Sequence, residues 1–189
     1  MAGSRVGVLA LQGGFAAHAA VLRSIGADVR EVRVPEDLAG LDALVLPGGE
    51  STTMMLGIER EGLAEPLAEF VRSGAPVMAT CAGTIILDDT HLGLLDVACD
   101  RNAYGSQIKS FEADLAVPGL NGGFRGVFIR APRITRVGDV EVLAELDSPV
   151  MVRQDNILAM TFHPELTHDD KIHRMFLQTN VTTLKRRAA

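Results

Sequence analysis

A chain of 189 residues is large enough for one domain with a single core that buries roughly two-thirds of its unfolded surface. Hydrophobic residues make up 47%, aromatics only 4%, and there are 19 glycines, a composition that suits aliphatic strands and short turns in an α/β protein. A net charge of −6 argues against general affinity for nucleic acid or anionic membranes, and no apolar run approaches the length of a membrane span. Two cysteines, Cys81 and Cys99, with no secretory leader, point to a reducing cytoplasm in which no disulfide is expected. The one basic cluster, Lys185-Arg186-Arg187, reads as a solvated terminus.

In chain order, Arg5 to Leu11 is a compact apolar run fit for a strand buried on both faces. Gln12-Gly13-Gly14 breaks it. Phe15 to Ile25 then carries Phe15, Ala19, Val21, Leu22 and Ile25 at helical spacing, with Gly26 as a stop. Asp28 to Val32 reads as a second strand. Leu41 to Leu46 reads as a third, ending at Pro47-Gly48-Gly49-Glu50-Ser51-Thr52. Met54 to Phe70 is helical in character, in two pieces joined near Gly62.

A short apolar run from Pro76 then stops at Cys81 among small residues, and the helix-compatible segment Thr84 to Leu87 follows. Strand, sharp turn and helix in that order lift a reactive atom out of the backbone, and a helix starting there would favour thiolate over thiol. The same local pattern fits a buried structural thiol equally well.

The alternation predicts a parallel sheet with helices on both faces, in which ligands gather at the carboxyl ends of the strands. Gly13-Gly14, Gly48-Gly49 and Cys81 would share that edge. The second half differs. Ala113 to Val117, Gly126 to Ile129, Ile134 to Val137, Val140 to Leu146 and Val150 to Val152 read as antiparallel strands appended to the parallel core. Asn156 to Phe162 is a final strand delivering His163-Pro164-Glu165, and Thr167 to Leu177 reads as a helix capped by Thr167 or a nearby Asp.

A cysteine nucleophile needs a base and a group that holds the base in one tautomer. His18, His91, His168 and His173 read as surface or packing residues. His163 differs: it ends an apolar strand, and Pro164 leads the chain out of the sheet, so Glu165 can reach one ring nitrogen while the other faces Cys81. A strand end with a surface His and Glu is the plain alternative. Gly48-Gly49 suits a tight turn, a phosphate loop lacking the expected Lys, or an oxyanion hole.

Taken together, Leu46-Pro47-Gly48-Gly49-Glu50-Ser51, Thr80-Cys81-Ala82-Gly83 and Phe162-His163-Pro164-Glu165 resemble the class I, triad-type glutamine amidotransferases. Gly7 to Gly13, Gly48 to Thr53, Arg101-Asn102-Ala103-Tyr104-Gly105, Ser110-Phe111-Glu112, Phe128-Ile129-Arg130-Ala131-Pro132 and Phe162 to Thr167 are similar to the glutaminase subunit of the two-component pyridoxal 5′-phosphate synthase. The resemblance runs from about Val6 to Phe176.

It implies a flavodoxin-like three-layer α/β/α fold, one glutaminase domain over 1–189, and hydrolysis of L-glutamine to glutamate and ammonia through a glutamyl thioester. Cys81 would be the nucleophile, His163 the base and then acid, and Glu165 its orienter. The amides of Gly49 and Ala82 would serve the oxyanion, and Gly49, Glu50, Ser51, Arg101, Ile129 and Arg130 would hold glutamine. Ordinary surface charge is the alternative for the two arginines.

No cofactor and no metal is implied. The implied partner is a separate (β/α)8 synthase subunit in a hetero-oligomeric, cytoplasmic assembly that activates the glutaminase on docking; Gln12-Gly13 and Gly48-Gly49, which border the predicted sheet edge, are the expected contact. Met54 and Met55 read as core packing or as the lining of an ammonia exit. Ser106 stands where the family has a basic residue, and Asp88 to Gly93 is short. Three rival readings remain: another class I glutaminase, a cysteine hydrolase or deglycase of the related superfamily, and a binding module with a vestigial triad.

Overall fold

The structure, a computed structural model, describes residues 3–101 and 110–178. Its centre is a seven-stranded sheet made from β1 (Arg5–Leu9), β2 (Asp28–Val32), β3 (Ala43–Leu46), β4 (Val77–Thr80), β9 (Glu141–Glu145), β10 (Pro149–Gln154) and β11 (Ile157–Met160). The order across the sheet is β2-β1-β3-β4-β11-β10-β9. The first five run parallel, while β10 pairs antiparallel with both β11 and β9.

The inner parallel strands β1, β3, β4 and β11 are almost wholly buried and mainly apolar because both of their faces are covered, whereas the edge strand β2 is largely exposed and carries Asp28, Arg30 and Glu31. Val6, Val8, Ala43, Val45, Met78 and Met160 point into one core with Leu22 of α1 (Phe15–Ser24) and with Ile172 and Phe176 of a last helix, α5 (171–178). The intervening residues Leu44, Leu46, Val77, Ala79 and Ala159 point into the other core. There they meet Met54 and Ile58 of α2 (Ser51–Arg60), Leu67 and Val71 of α3 (Ala64–Arg72), and Ile86 of α4 (Ala82–Leu87). The expected three layers follow from this period-two alternation.

Two antiparallel ribbons flank the sheet. β6 (Ser110–Leu115) pairs with β7 (Phe124–Ile129), and β5 (Val97–Asp100) pairs with β8 (Arg133–Val137). The first packs through Phe128 and Phe124 onto Phe162, with ring centroids 5.5 and 5.8 Å apart. Among the described residues no helix is long and apolar enough to cross a membrane.

Several boundaries depart from the sequence expectation. β5 was not expected: Val-Ala-Cys-Asp has no clean alternation, and it is held by pairing with β8 and by Val97 in the core. The expected helix from Thr167 begins only at 171. Thr167 instead closes a turn, its Oγ1 donating to the Pro164 carbonyl (3.0 Å) and accepting from the Asp169 amide (3.2 Å). Asp169 then caps the helix by accepting from the Lys171 amide at 3.0 Å. α2 starts at Ser51 rather than Met54, because the Glu50 carboxylate accepts from the amides of Thr52 (3.1 Å) and Thr53 (2.8 Å) and supplies the cap.

Candidate active site

Three parallel strands end side by side, and each hands over to a tight, glycine-rich or strained turn. β4 ends at Cys81, whose φ of 48° and ψ of −109° turn the chain sharply into α4. Such a left-handed conformation is uncommon for a residue with a Cβ and persists only where its surroundings enforce it. They do. The Cys81 amide donates to the Met160 carbonyl at 2.8 Å, extending the β4–β11 ladder, and Thr84 Oγ1 donates to the same carbonyl at 2.7 Å. Gly83 lets α4 lie hard against β3, since any Cβ there would run into the Leu46 carbonyl.

β11 delivers His163. Its amide donates to the Val127 carbonyl (2.8 Å), which ties β7 to the site, and Pro164–Leu166 forms a single 3-10 turn. That turn brings Glu165 back beneath the ring, so that His163 Nδ1 and Glu165 Oε1 are 2.8 Å apart. The Cys81 side chain is the ring's other close neighbour, near enough to act on the charge of the imidazole. A Cβ on Gly48 would strike the His163 ring and approach the Cys81 Cβ to 3.2 Å, so the turn after β3 needs glycine there for the imidazole to fit.

Electrostatics follow from this packing. Burial of the His163 ring works against its charged form, but hydrogen bonds and negative charge from Cys81 and Glu165 outweigh it and raise its pKa to about 10. Burial likewise disfavours the Glu165 carboxylate, yet the hydrogen bond with His163 and the close approach of the His18 ring hold it well below the usual carboxylate range.

The remaining residues line the same edge. Gly14 donates to the Gly48 carbonyl (2.8 Å) and the Glu50 amide donates to Gln12 Oε1 (2.7 Å), stitching the loops after β1 and β3 together. With its carbonyl turned to Gly14, the trans Gly48-Gly49 peptide sends the Gly49 N–H the opposite way. The Ala82 amide opens α4 and has no intrahelical carbonyl to bond.

Ser51 is buried at the start of α2, and Glu50 spends its carboxylate on capping that helix, also accepting from Thr53 Oγ1 at 2.8 Å. Those bonds lower its pKa to about 2. Arg101 is exposed and donates to Thr52 Oγ1 (2.6 Å) and more weakly to Ser51 Oγ (3.4 Å). Ile129 ends β7, and Arg130 follows it, exposed, with φ of 45°. Asn102, Ala103, Tyr104, Gly105 and Ser106 lie outside the described residues.

Sequence reasoning missed two residues here. His18 and His173, read as surface or packing residues, are both fully buried and run from Glu165 toward the interior. The signal was present: His18 lies on the Ala19–Leu22 face of α1, and His173 lies between Ile172 and Phe176.

The fold matches a solved class of enzymes. A crystal structure of a glutamine amidotransferase superposes with a TM-score of 0.86 at 48% identity, covering 93% of this chain and 98% of that one. Residues 8–182 match the SNO glutamine amidotransferase family, and the chain belongs to it. Curated relatives named pyridoxal 5′-phosphate synthase subunit PdxT are similar over nearly their full length. The one from Geobacillus thermodenitrificans is 50% identical, covering 92% of this chain and 93% of the relative. The one from Cutibacterium acnes is 51% identical, covering 92% and 95%.

Proposed function

We propose that this chain is the glutaminase subunit of a two-component pyridoxal 5′-phosphate synthase, a single domain acting in the cytoplasm. It hydrolyses L-glutamine and hands the ammonia to a separate synthase subunit. The observation that carries the chemistry is the contact chain Cys81–His163–Glu165, with Glu165 Oε1 at 2.8 Å from His163 Nδ1.

Glutamine sits with its carboxamide against Cys81 and its α-substituents toward Arg101, Ser51, Glu50, Ile129 and Arg130. The guanidinium of Arg101, held to α2 by Thr52 Oγ1, suits the substrate carboxylate. Cys81 attacks as thiolate, its proton resting on His163, whose imidazolium is favoured by the buried Glu165. The carbon–sulfur bond forms and the carbonyl π pair moves to oxygen, where the amides of Gly49 and Ala82 receive the charge. The oxyanion collapses, the carbon–nitrogen bond breaks, and His163 gives its proton to the leaving nitrogen. Water then attacks the thioester with His163 as base, releasing glutamate and restoring the thiolate–imidazolium pair.

Ammonia is protonated in neutral water, so release into solvent loses the nucleophile that the synthase needs. The Gln12-Gly13 and Gly48-Gly49 loops, already bonded to each other, are the place where a docked synthase subunit would act on the oxyanion peptide. Ammonia release from glutamine, measured with and without a synthase subunit of this family, tests the reading. Partner-dependent release abolished by Cys81→Ala supports it. Release that survives Cys81→Ala removes it.

A further inference from the structure

The Glu165 carboxylate has a second neighbour behind the triad. While Oε1 faces His163, Oε2 lies 3.2 Å from His18 Nε2, with both side chains almost fully buried. His18 Nε2 is also 3.1 Å from Thr80 Oγ1, one residue before the elbow. The approach to Oε2 is short, but the aligned hydrogen bond is the one to Thr80 Oγ1, and Oε2 has no aligned partner among the described residues. His18 Nδ1 in turn lies 3.0 Å from His173 Nε2 on α5, and His173 Nδ1 has no partner among the described residues.

These contacts allow three placements of the protons. With His18 protonated at Nδ1 alone, that N–H would point at His173 Nε2, and a bare Nε2 would face the Glu165 carboxylate. It would also leave an orphaned N–H on buried His173 Nδ1. With His18 doubly protonated, the same orphaned donor on His173 remains. With His173 protonated at Nε2 and His18 at Nε2, each ring N–H has an oxygen or nitrogen to meet. Only a lone pair, on His173 Nδ1, is left unmatched. A buried unsatisfied donor is rarer and dearer than an unsatisfied acceptor, so the third placement is favoured.

Resting on the triad reading above, we propose that His18 and His173 are positioning residues of this site. His173 donates to His18 Nδ1 and fixes the tautomer whose Nε2–H faces Glu165 Oε2, which in turn holds the carboxylate against His163. The pKa of His173, pushed down to about 3 chiefly by burial, keeps the ring neutral in its donor role across the working range. The groups facing this chain are Cys81 and Glu165 around His163, His163 and His18 around Glu165, and His18, Glu165 and Asp170 around His173. Asp170 is itself paired with Arg174 at 2.8 Å.

Two measurements test this. Long-range proton–nitrogen correlation of the full chain with nitrogen-15 histidine should find His18 protonated at Nε2 and bare at Nδ1 near pH 7. A His18 protonated at Nδ1, alone or together with Nε2, overturns the proposal whatever the enzyme's turnover. In the glutaminase–synthase complex, His18→Leu should lower kcat by about 10- to 100-fold with KM little changed. It should also move the acid limb of kcat/KM to higher pH, because Glu165 loses a donor that favours its charged form. His173→Leu should do the same more weakly, by about 3- to 10-fold, and His18→Gln, whose amide nitrogen replaces Nε2, should recover most of the loss. Equal damage from Leu and Gln at position 18 with an unmoved acid limb means a packing role only and overturns the proposal.

Discussion

Cys81 and Cys99 follow different rules within one sheet system. Cys81 sits at a strained elbow where three parallel strands end, beside an imidazole that is pinned by a buried carboxylate. Cys99 sits within β5, partly buried, its amide donating to Asp88 Oδ2 at 3.3 Å. Burial, and then the charges of Asp88 and Asp89, push the Cys99 thiol up to about 12. The contrast teaches that one sheet system can set opposite neighbours beside its two thiols, an imidazole beside Cys81 and two carboxylates beside Cys99, where burial and charge act together against the thiolate.

Substituting the two cysteines in turn tests the contrast most strongly. Cys81→Ala should lower glutaminase turnover by about 10⁴-fold or more, while Cys99→Ala should stay within about twofold of wild type. Ammonia release and far-ultraviolet circular dichroism together check that the first loss is chemical and not a loss of fold. Comparable losses in both would erase the distinction.

Removing the pinning charge comes next. Glu165→Gln should lower kcat by about 10²- to 10⁴-fold, because the amide can present N–H to His163 Nδ1 and select the wrong tautomer. The reactivity of Cys99 toward an alkylating reagent, read by mass spectrometry, should not change.

Crowding the ring is milder. Gly48→Ala places a methyl against His163 and Cys81, and displacement of that order should reduce kcat by about 10²-fold. The elbow's other contact glycine tests stability instead. Gly83→Ala forces a methyl onto the Leu46 carbonyl and should destabilise the fold by about 2 kcal/mol, read by urea denaturation.

The pH dependence of stability gives the smallest effect. His163 is raised from an ordinary 6.5 to about 10, so its contribution is full below pH 6.5 and is lost as pH rises toward 10. Glu165 is lowered from 4.5, so its contribution is present above that value and is lost as pH falls through its depressed pKa. Melting temperature against pH should therefore decline on the alkaline side in wild type. In Cys81→Ala, which removes one of the causes that raise His163, the decline should begin at lower pH. Cys99→Ala should track wild type.

Much of this was legible in the sequence. The parallel core could be read because its inner strands are short, almost wholly aliphatic runs of Val, Leu, Ala, Ile and Met. The elbow could be read because Cys81 stops an apolar run among small residues. His163 and Glu165 were legible together, since Pro164 forces a turn and a turn is what closes a two-residue separation onto one ring.

What stayed hidden depends on tertiary partners. β5 exists through its pairing with β8, and no local pattern in Val-Ala-Cys-Asp announces it. The delay of α5 to residue 171 reflects a side-chain turn at Thr167 that competes with the helix. His18 and His173 are 155 positions apart, and only the packing of α1 against α5 makes them neighbours.

The central claim is that the sulfur of Cys81, and not that of Cys99, is the atom that meets the glutamine carboxamide carbon. The direct measurement treats the glutaminase–synthase complex with a glutamine analogue carrying an electrophilic chloroketone or diazoketone in place of the carboxamide, followed by peptide mass spectrometry. The account predicts one adduct, on the peptide bearing Cys81, suppressed by excess glutamine and absent in His163→Asn at neutral pH. An adduct on Cys99, or labelling of Cys81 that glutamine does not suppress, would contradict it.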